Sequence, residues 1–350
     1  MKKLKVGQLG IGHNHGSAKM EAFRKFPDRF EIVGFAEEDP VWLERRRNAP
    51  AYRGLPLLTV EELLDRCDAV LVETMVPELT KAGLLCVRAG KHIHLDKPAS
   101  GTLEEFKELL DTAEAKGLVV QMGYMYRYNP AILKTFEAIR DGKLGEIYSI
   151  NAEMSTYHSP LYKQWLSTFP GGIHYILGSH LVDIIVYLLG EPIKVTSFLK
   201  HTGLDGVDFA DNNLSVLEYD KALARVFVSS VEVNGWGRRQ FMVSGSKGTA
   251  NIVPLENPTT MTWSDLSIAS HPYTHLKEDV QITDVPPDCR YDSMALDFYD
   301  YVMGTKENPF TYQHDYTVQK VILEMIGDDV INPAQDHPYS PASGAPAAKG

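Results

Sequence analysis

Cysteine is scarce: Cys67, Cys86 and Cys289 are the only three in 350 residues, far apart and with no CxxC pair. That excludes a disulfide-stapled fold and a cysteine metal cage, and it fits a reducing cytoplasm. Long apolar runs are missing too, none approaching the ~20 residues of a membrane span. There is no excess of positive charge. The 35 Lys and Arg against 46 Asp and Glu leave a net −11, which argues against nucleic acid or an anionic membrane as the main partner. The opening MKKLKVGQLGIG passes at once into a glycine turn, so no signal peptide is expected. Internal repeats are lacking.

What is present is an ordinary globular composition, 44% hydrophobic and 23% charged, in a chain long enough for two domains of ~100–200 residues. The first third alternates strands and helices. Strands are expected over 3–9, 30–36, 68–74, 92–96 and 118–122, with helices over 17–26, 39–48 and 77–89. Thr102 and Glu105 form a capping box opening a further helix with Phe106, Leu109, Leu110 and Ala113 on one face. The run Asp68-Ala-Val-Leu-Val-Glu-Thr74 is apolar throughout its centre, as a parallel strand covered on both faces requires. This alternation predicts a doubly wound parallel sheet.

After Gly123 the pattern changes. Helices are expected over 131–140 and 173–189. Five strand-like runs follow, over 195–199, 214–219, 223–233, 240–244 and 249–253, separated by short turns. They predict a mostly antiparallel sheet with helices on one side. The expected domains are 1–123 and 124–337, with 338–350, rich in Pro, Ala, Gly and Ser, as a mobile tail.

The turn Gly10-Ile-Gly12-His-Asn-His15-Gly16 follows a strand and precedes a helix, the context of a dinucleotide fingerprint. Gly10 permits the tight turn, and Gly12 lets backbone approach a pyrophosphate. His15 holds the third glycine slot, with Gly16 one place later. Glu37 ends the second strand, where an acid accepts ribose hydroxyls and repels a 2′-phosphate, so NAD is preferred over NADP. His13/His15 and His92/His94 have i, i+2 spacing, but no acid or cysteine completes a set nearby, so no metal is expected.

The stretch Ala89-Gly-Lys-His-Ile-His-Leu-Asp-Lys-Pro98 puts a lysine at the end of a parallel strand. It resembles the AGKHV-x-x-EKP motif of the Gfo/Idh/MocA oxidoreductases, with Asp96 in place of Glu. The segments DAVLVET, GYMYRYNP, KLGEI, GSHLVD and GSKGTANI agree in order, so the resemblance spans about residues 4 to 330. It implies a Rossmann domain followed by an α/β domain with a large, mostly antiparallel open-faced sheet, through which the chain forms a homodimer or homotetramer. It also implies NAD, held by Gly10, Gly12, His13, Asn14, Glu37, Thr74, Asp96 and Lys97, and catalysis by Lys97 and His180. Lys97 would stabilise a developing alkoxide, and His180 would accept its proton. Ile176 stands four residues before His180, where the family commonly has Asp. Asp183 lies three residues after it.

Arg127 and Tyr128 match positions that often line the family's sugar site. Tyr157, His158 and Trp165, in a polar–aromatic loop, suit stacking and hydrogen bonding on a ring, and Trp236 is a further candidate. The expected activity is hydride transfer to or from a secondary alcohol carbon of a sugar, sugar derivative or cyclitol. The alternative is a glycoside hydrolase or lyase that uses tightly bound NAD in a transient oxidation–elimination–reduction cycle. A third is an NAD-binding regulatory protein without turnover.

Overall fold

The computed structural model describes residues 2–258, 260–265, 280–282, 284–287, 290–327 and 330–331. Cys289 and the expected tail 338–350 lie outside them. Two compact units divide the chain, one containing Met1–Tyr124 and Tyr291–Lys320, the other Met125–Arg290 and Val321–Gly327. No helix among the described residues is long and apolar enough to cross a membrane.

The first unit is built on five parallel strands, β1 (Leu4–Leu9), β2 (Phe30–Ala36), β3 (Ala69–Val72), β4 (His92–Leu95) and β5 (Val120–Met122), in the order β2-β1-β3-β4-β5. Every residue of β3 is buried, as its unbroken apolar run demands. Each helix start carries a local signal. Asp39 accepts from the amides of Val41 and Trp42 to open Pro40–Arg46, and Thr102 with Glu105 closes the expected capping box. The helix expected over 77–89 begins as a 3-10 turn, Val76–Glu78, and becomes α-helical over Leu79–Arg88. Helix Val60–Arg66, capped by Thr59 and Glu62, was not expected.

The expected extent of the second domain, 124–337, needs a correction. The chain does not stay in the second domain to residue 337. Helix Asp292–Met303 belongs to the first unit, where Ala295, Phe298 and Tyr299 join Leu4, Val6, Ala69 and Leu71 in one buried cluster. The cause is burial: without that helix, this apolar face of the parallel sheet would be wet.

The described residues of the second unit form eight strands: β6 (Ile147–Glu153), β7 (Lys194–Lys200), β8 (Asn212–Glu218), β9 (Leu223–Ser229), β10 (Gln240–Gly245), β11 (Gly248–Ile252), β12 (Met261–Asp265) and β13 (Val280–Ile282). Their order is β13-β12-β11-β10-β6-β9-β8-β7, antiparallel except for the parallel pair β6/β9. Strict alternation sorts the two faces. Ile150, Ala152, Leu217, Ala224, Val226, Val228, Phe241 and Val243 are buried, on the side where helices Pro130–Arg140 and Ser179–Leu189 pack. The other face carries Phe198 and Leu223, both more than half exposed, among half-buried Leu214, Val216, Phe227 and Met242. Strand β6 escaped the sequence reading because Ser149, Asn151 and Glu153 break its apolar character.

Candidate active site

In the first unit the turn after β1 is shaped by glycine. Gly10 has φ +84°, and a Cβ there would lie 2.5 Å from the Thr74 amide nitrogen, so no side chain fits. The Glu37 carboxylate braces this turn, accepting from the Ile11 amide at 2.7 Å and the Asp39 amide at 3.0 Å. Burial holds Glu37 above the usual carboxylate range, against these amides, which lower it. Arg46 donates to the carbonyls of Ile11 and His13 from the other side. Beside the turn is a cavity of about 460 Å³ whose wall includes Gly10, Glu37, Trp42, Thr74 and Met75. The Thr74 hydroxyl is buried there with no partner among the described residues. A donor left unmet costs about 1–3 kcal/mol, so this wall suits a polar ligand such as the adenosine half of a dinucleotide.

Behind the turn lies a buried charge cluster. Asp96, at the end of β4, is fully buried. Its Oδ1 accepts the Lys97 amide at 2.6 Å. Its Oδ2 lies 2.7 Å from Lys19 Nζ, 2.9 Å from His13 Nδ1 and 3.1 Å from His15 Nδ1. Lys19 also reaches Glu73 at 3.2 Å. Burial alone would push Asp96 up, yet His13, Lys19 and His15 together hold it well below the usual range. Glu73 is pushed well above its ordinary value by burial and by the Asp96 charge. Asp96 therefore carries the negative charge of the pair. The expectation that no acid accompanies His13 and His15 is corrected, since Asp96 reaches both from more than 80 residues along the chain. These three could enclose a metal ion, but the Lys19 ammonium already supplies positive charge to the same oxygen. His92 and His94 are occupied locally: His92 Nδ1 accepts the Val119 amide, and His94 Nδ1 meets Gln121 Oε1 at 2.8 Å. Asn14 is half-buried in the turn, and Lys97 is buried.

In the second unit His180 is buried on helix Ser179–Leu189, its ring 5.3 Å from that of Tyr126. The Tyr126 hydroxyl donates to Glu256 Oε1 at 2.5 Å, and Arg239 pairs with the same carboxylate. Arg239 also donates to Thr156 Oγ1 and the Ser155 carbonyl, and stacks 4.2 Å from the centre of the exposed Trp236 ring. Tyr157 is exposed, with Lys163 Nζ 5.0 Å from its ring centre. His158 stacks on Tyr162, and Tyr162 meets Trp165 edge-on. His158 Nδ1 and Trp165 Nε1 are buried with no partner among the described residues. Burial, then the charges of Arg239 and Lys163, pull the His158 imidazole down to about 3, so it is neutral at pH 7. A neutral imidazole and an indole donor are the groups a polyol ring hydrogen-bonds.

Two segments of the chain match models of one family. Residues 4–124 match its NAD-binding Rossmann domain and residues 132–251 its C-terminal domain. The chain belongs to the Gfo/Idh/MocA oxidoreductase family. An uncharacterized oxidoreductase of Schizosaccharomyces pombe is 27% identical over 264 residues, 71% of this chain and 70% of that protein. The scyllo-inositol 2-dehydrogenase (NADP(+)) of Bacillus subtilis is 27% identical over 42% of each chain. Among solved structures, a UDP-N-acetylglucosamine 3-dehydrogenase of Acidithiobacillus ferrooxidans shares the fold. Its TM-score is 0.76 at 18% identity, over 93% of this chain and 98% of that one.

Within this Gfo/Idh/MocA chain, two motif residues have unforeseen surroundings. Arg127 is buried and grips Asp183 through Nε at 3.0 Å and Nη2 at 2.6 Å. This pair joins the 3-10 turn Met125–Tyr128, where Tyr128 is also buried, to the helix of His180. The helix expected over 173–189 opens as a π-helical segment, His174–Gly178, before turning α-helical. Residues five apart bond within that segment rather than four. His174 Nε2 faces the sheet, 2.7 Å from Ser215 Oγ. Lys19, Glu73, Tyr126, Arg239 and Glu256 were not singled out in the sequence, because none sits in a spacing that signals chemistry.

Proposed function

We propose that this oxidoreductase transfers hydride between NAD and a secondary alcohol carbon of a sugar, sugar derivative or cyclitol. The observation that carries the reading is the first unit's arrangement, a glycine turn braced by Glu37 beside a cavity, with Lys97 at the end of β4. The open crevice at strand ends is where such sheets bind ligands. NAD supplies the hydride acceptor. Glu37 and Thr74 would hold its adenosine half, and Lys97 its nicotinamide side. The roles carried over from the family motif are that Lys97 polarises the alcohol oxygen and His180 accepts its proton. His158 and Trp165 offer the ring its hydrogen bonds, and Arg127 acts as a positioning residue through Asp183. Support for a polyol comes from the scyllo-inositol dehydrogenase among the relatives. The test is a screen of cyclitols, sugars and glycosides with NAD, reading NADH absorbance and product cleavage together. Cleavage without NADH would replace this reading with the redox-neutral one.

Glu37 is expected to make NAD bind more tightly than NADP. Two backbone amides fix the carboxylate, so it cannot swing away from a 2′-phosphate. Repulsion of about 1–2 kcal/mol corresponds to roughly ten- to thirtyfold in affinity. Fluorescence titration of both cofactors checks it, and equal or tighter NADP binding would refute it.

The chain is also proposed to form a homo-oligomer through the face of the second sheet that displays Phe198, Leu223 and Phe227. Phe198→Asp should then shift the species seen by light scattering on a sizing column toward the monomer mass. A wild type already at 39.1 kDa would rule this assembly out.

A further inference from the structure

At the β2 edge of the first unit's sheet is a second cavity, of about 450 Å³. Phe35, Arg47, Asn48, Arg53, Leu55 and Leu57 are in its wall, and it shares no residue with the cavity beside the glycine turn. Its frame is fixed by hydrogen bonds. The Phe35 amide donates to the Pro56 carbonyl and the Leu58 amide to the Phe35 carbonyl, which ties the loop to β2. Arg24 Nη1 donates to the carbonyls of Ala51 and Arg53 at 2.7 and 3.1 Å. Gln8 Nε2 holds the buried Tyr52 hydroxyl at 2.9 Å. Residues 45–60 carry four arginines and no acid, in a chain of net charge −11. Every other arginine of the chain meets a carboxylate, a backbone carbonyl or an aromatic ring. Only the exposed side chains of Arg47 and Arg53 have no such partner among the described residues, and both are on this one wall.

We propose that this cavity is a binding site for a small organic phosphate, held by Arg47 and Arg53. Two guanidiniums match the charge of about −1.5 to −2 that a phosphomonoester carries at pH 7. The guanidinium fork also fits phosphate oxygens two at a time, and Asn48 adds an amide donor. Phe35, Leu55 and Leu57 offer an apolar surface to the ligand's carbon body. Leu57 is 43% exposed, so a ligand here would cover it. The volume fits, since small-molecule sites run from about 300 to 1,000 Å³. A nucleic acid backbone is a poorer match, because Glu44, Glu61 and Glu62 border the basic segment in the chain. Nor is the ligand the dinucleotide, whose ribose would meet Glu37 in the other cavity. This inference does not rest on the dehydrogenase reading.

The test is calorimetric titration of the full chain with phenyl phosphate, inorganic phosphate and benzyl alcohol, alone and with saturating NAD or NADP. Phenyl phosphate is expected to bind at one site, about fivefold or more tighter than inorganic phosphate, because its ring covers apolar surface. Benzyl alcohol, which lacks the charge, should bind more weakly than phenyl phosphate. Arg47→Gln and Arg53→Gln should each weaken phenyl phosphate about two- to fivefold, and the double variant about ten- to twentyfold, the scale of solvent-exposed charge pairs. Arg66→Gln removes an exposed charge paired elsewhere in the same unit and should change affinity less than about 1.5-fold. In nitrogen NMR, the Nε–H signals missing from the two single variants should be those that phenyl phosphate moves in wild type. Displacement of the probe by NAD or NADP would overturn the inference and return the ligand to the cofactor cavity. Equal affinity for inorganic phosphate or benzyl alcohol would overturn the ligand class. Equal weakening by Arg66→Gln would overturn the site, since binding would then follow the general field of the protein. No saturable heat up to millimolar phenyl phosphate would overturn it outright.

Discussion

Lys97→Ala is expected to lower turnover by about 10²–10³-fold or more while leaving the first unit folded and able to bind NAD. A single preorganised charge or donor at a developing oxyanion is worth roughly that factor, and a buried ammonium works in a medium that screens it weakly. The fold should tolerate the change because the bond that fixes this corner, Lys97 amide to Asp96 Oδ1, belongs to the backbone and survives in alanine. Lys97→Arg should fail as well, since a planar fork cannot replace a compact ammonium at one oxygen. The measurements are kcat on the best polyol, circular dichroism and NAD titration on the same preparations. Near-normal turnover of Lys97→Ala would refute the assignment at its strongest point.

Asp183→Ala should destabilise the protein by about 3–5 kcal/mol, the cost of leaving a buried guanidinium without its charge partner. Arg127 and Asp183 are at most 1% exposed at their side chains and share a two-pronged contact. The double variant Arg127→Met with Asp183→Leu should recover most of that loss, because both charges of the pair are removed together. Urea denaturation midpoints of the single and double variants check both statements. The double variant should still lose activity, because the turn carrying Tyr126 and the helix carrying His180 would no longer be joined by this pair. Full activity would show that the pair serves stability alone.

Much of the fold could be read locally. Capping residues such as Thr102 and Asp39, the apolar run of β3 and the alternation in β8 to β11 each act within a few residues. Strand β6 and helix Val60–Arg66 were harder. The first has polar residues on its open face, and the second is a short amphipathic turn with little periodicity to detect.

The sequence by itself determined the family, the parallel and antiparallel sheets, the glycine turn at Gly10, Glu37 at the end of β2 and the lysine motif at Lys97. All of these are written in short-range patterns, because turn geometry and strand burial depend on neighbours along the chain. Only the tertiary structure decided that Asp96 holds both His13 and His15, that Lys19 keeps that acid charged, and that Arg127 is committed to Asp183. It also decided that the helix at Asp292 returns to the first sheet. These contacts join residues 56 to 81 positions apart, or farther. Spacing cannot show them, since a buried ion pair is set by where strand ends and helices meet, and no local periodicity records that meeting.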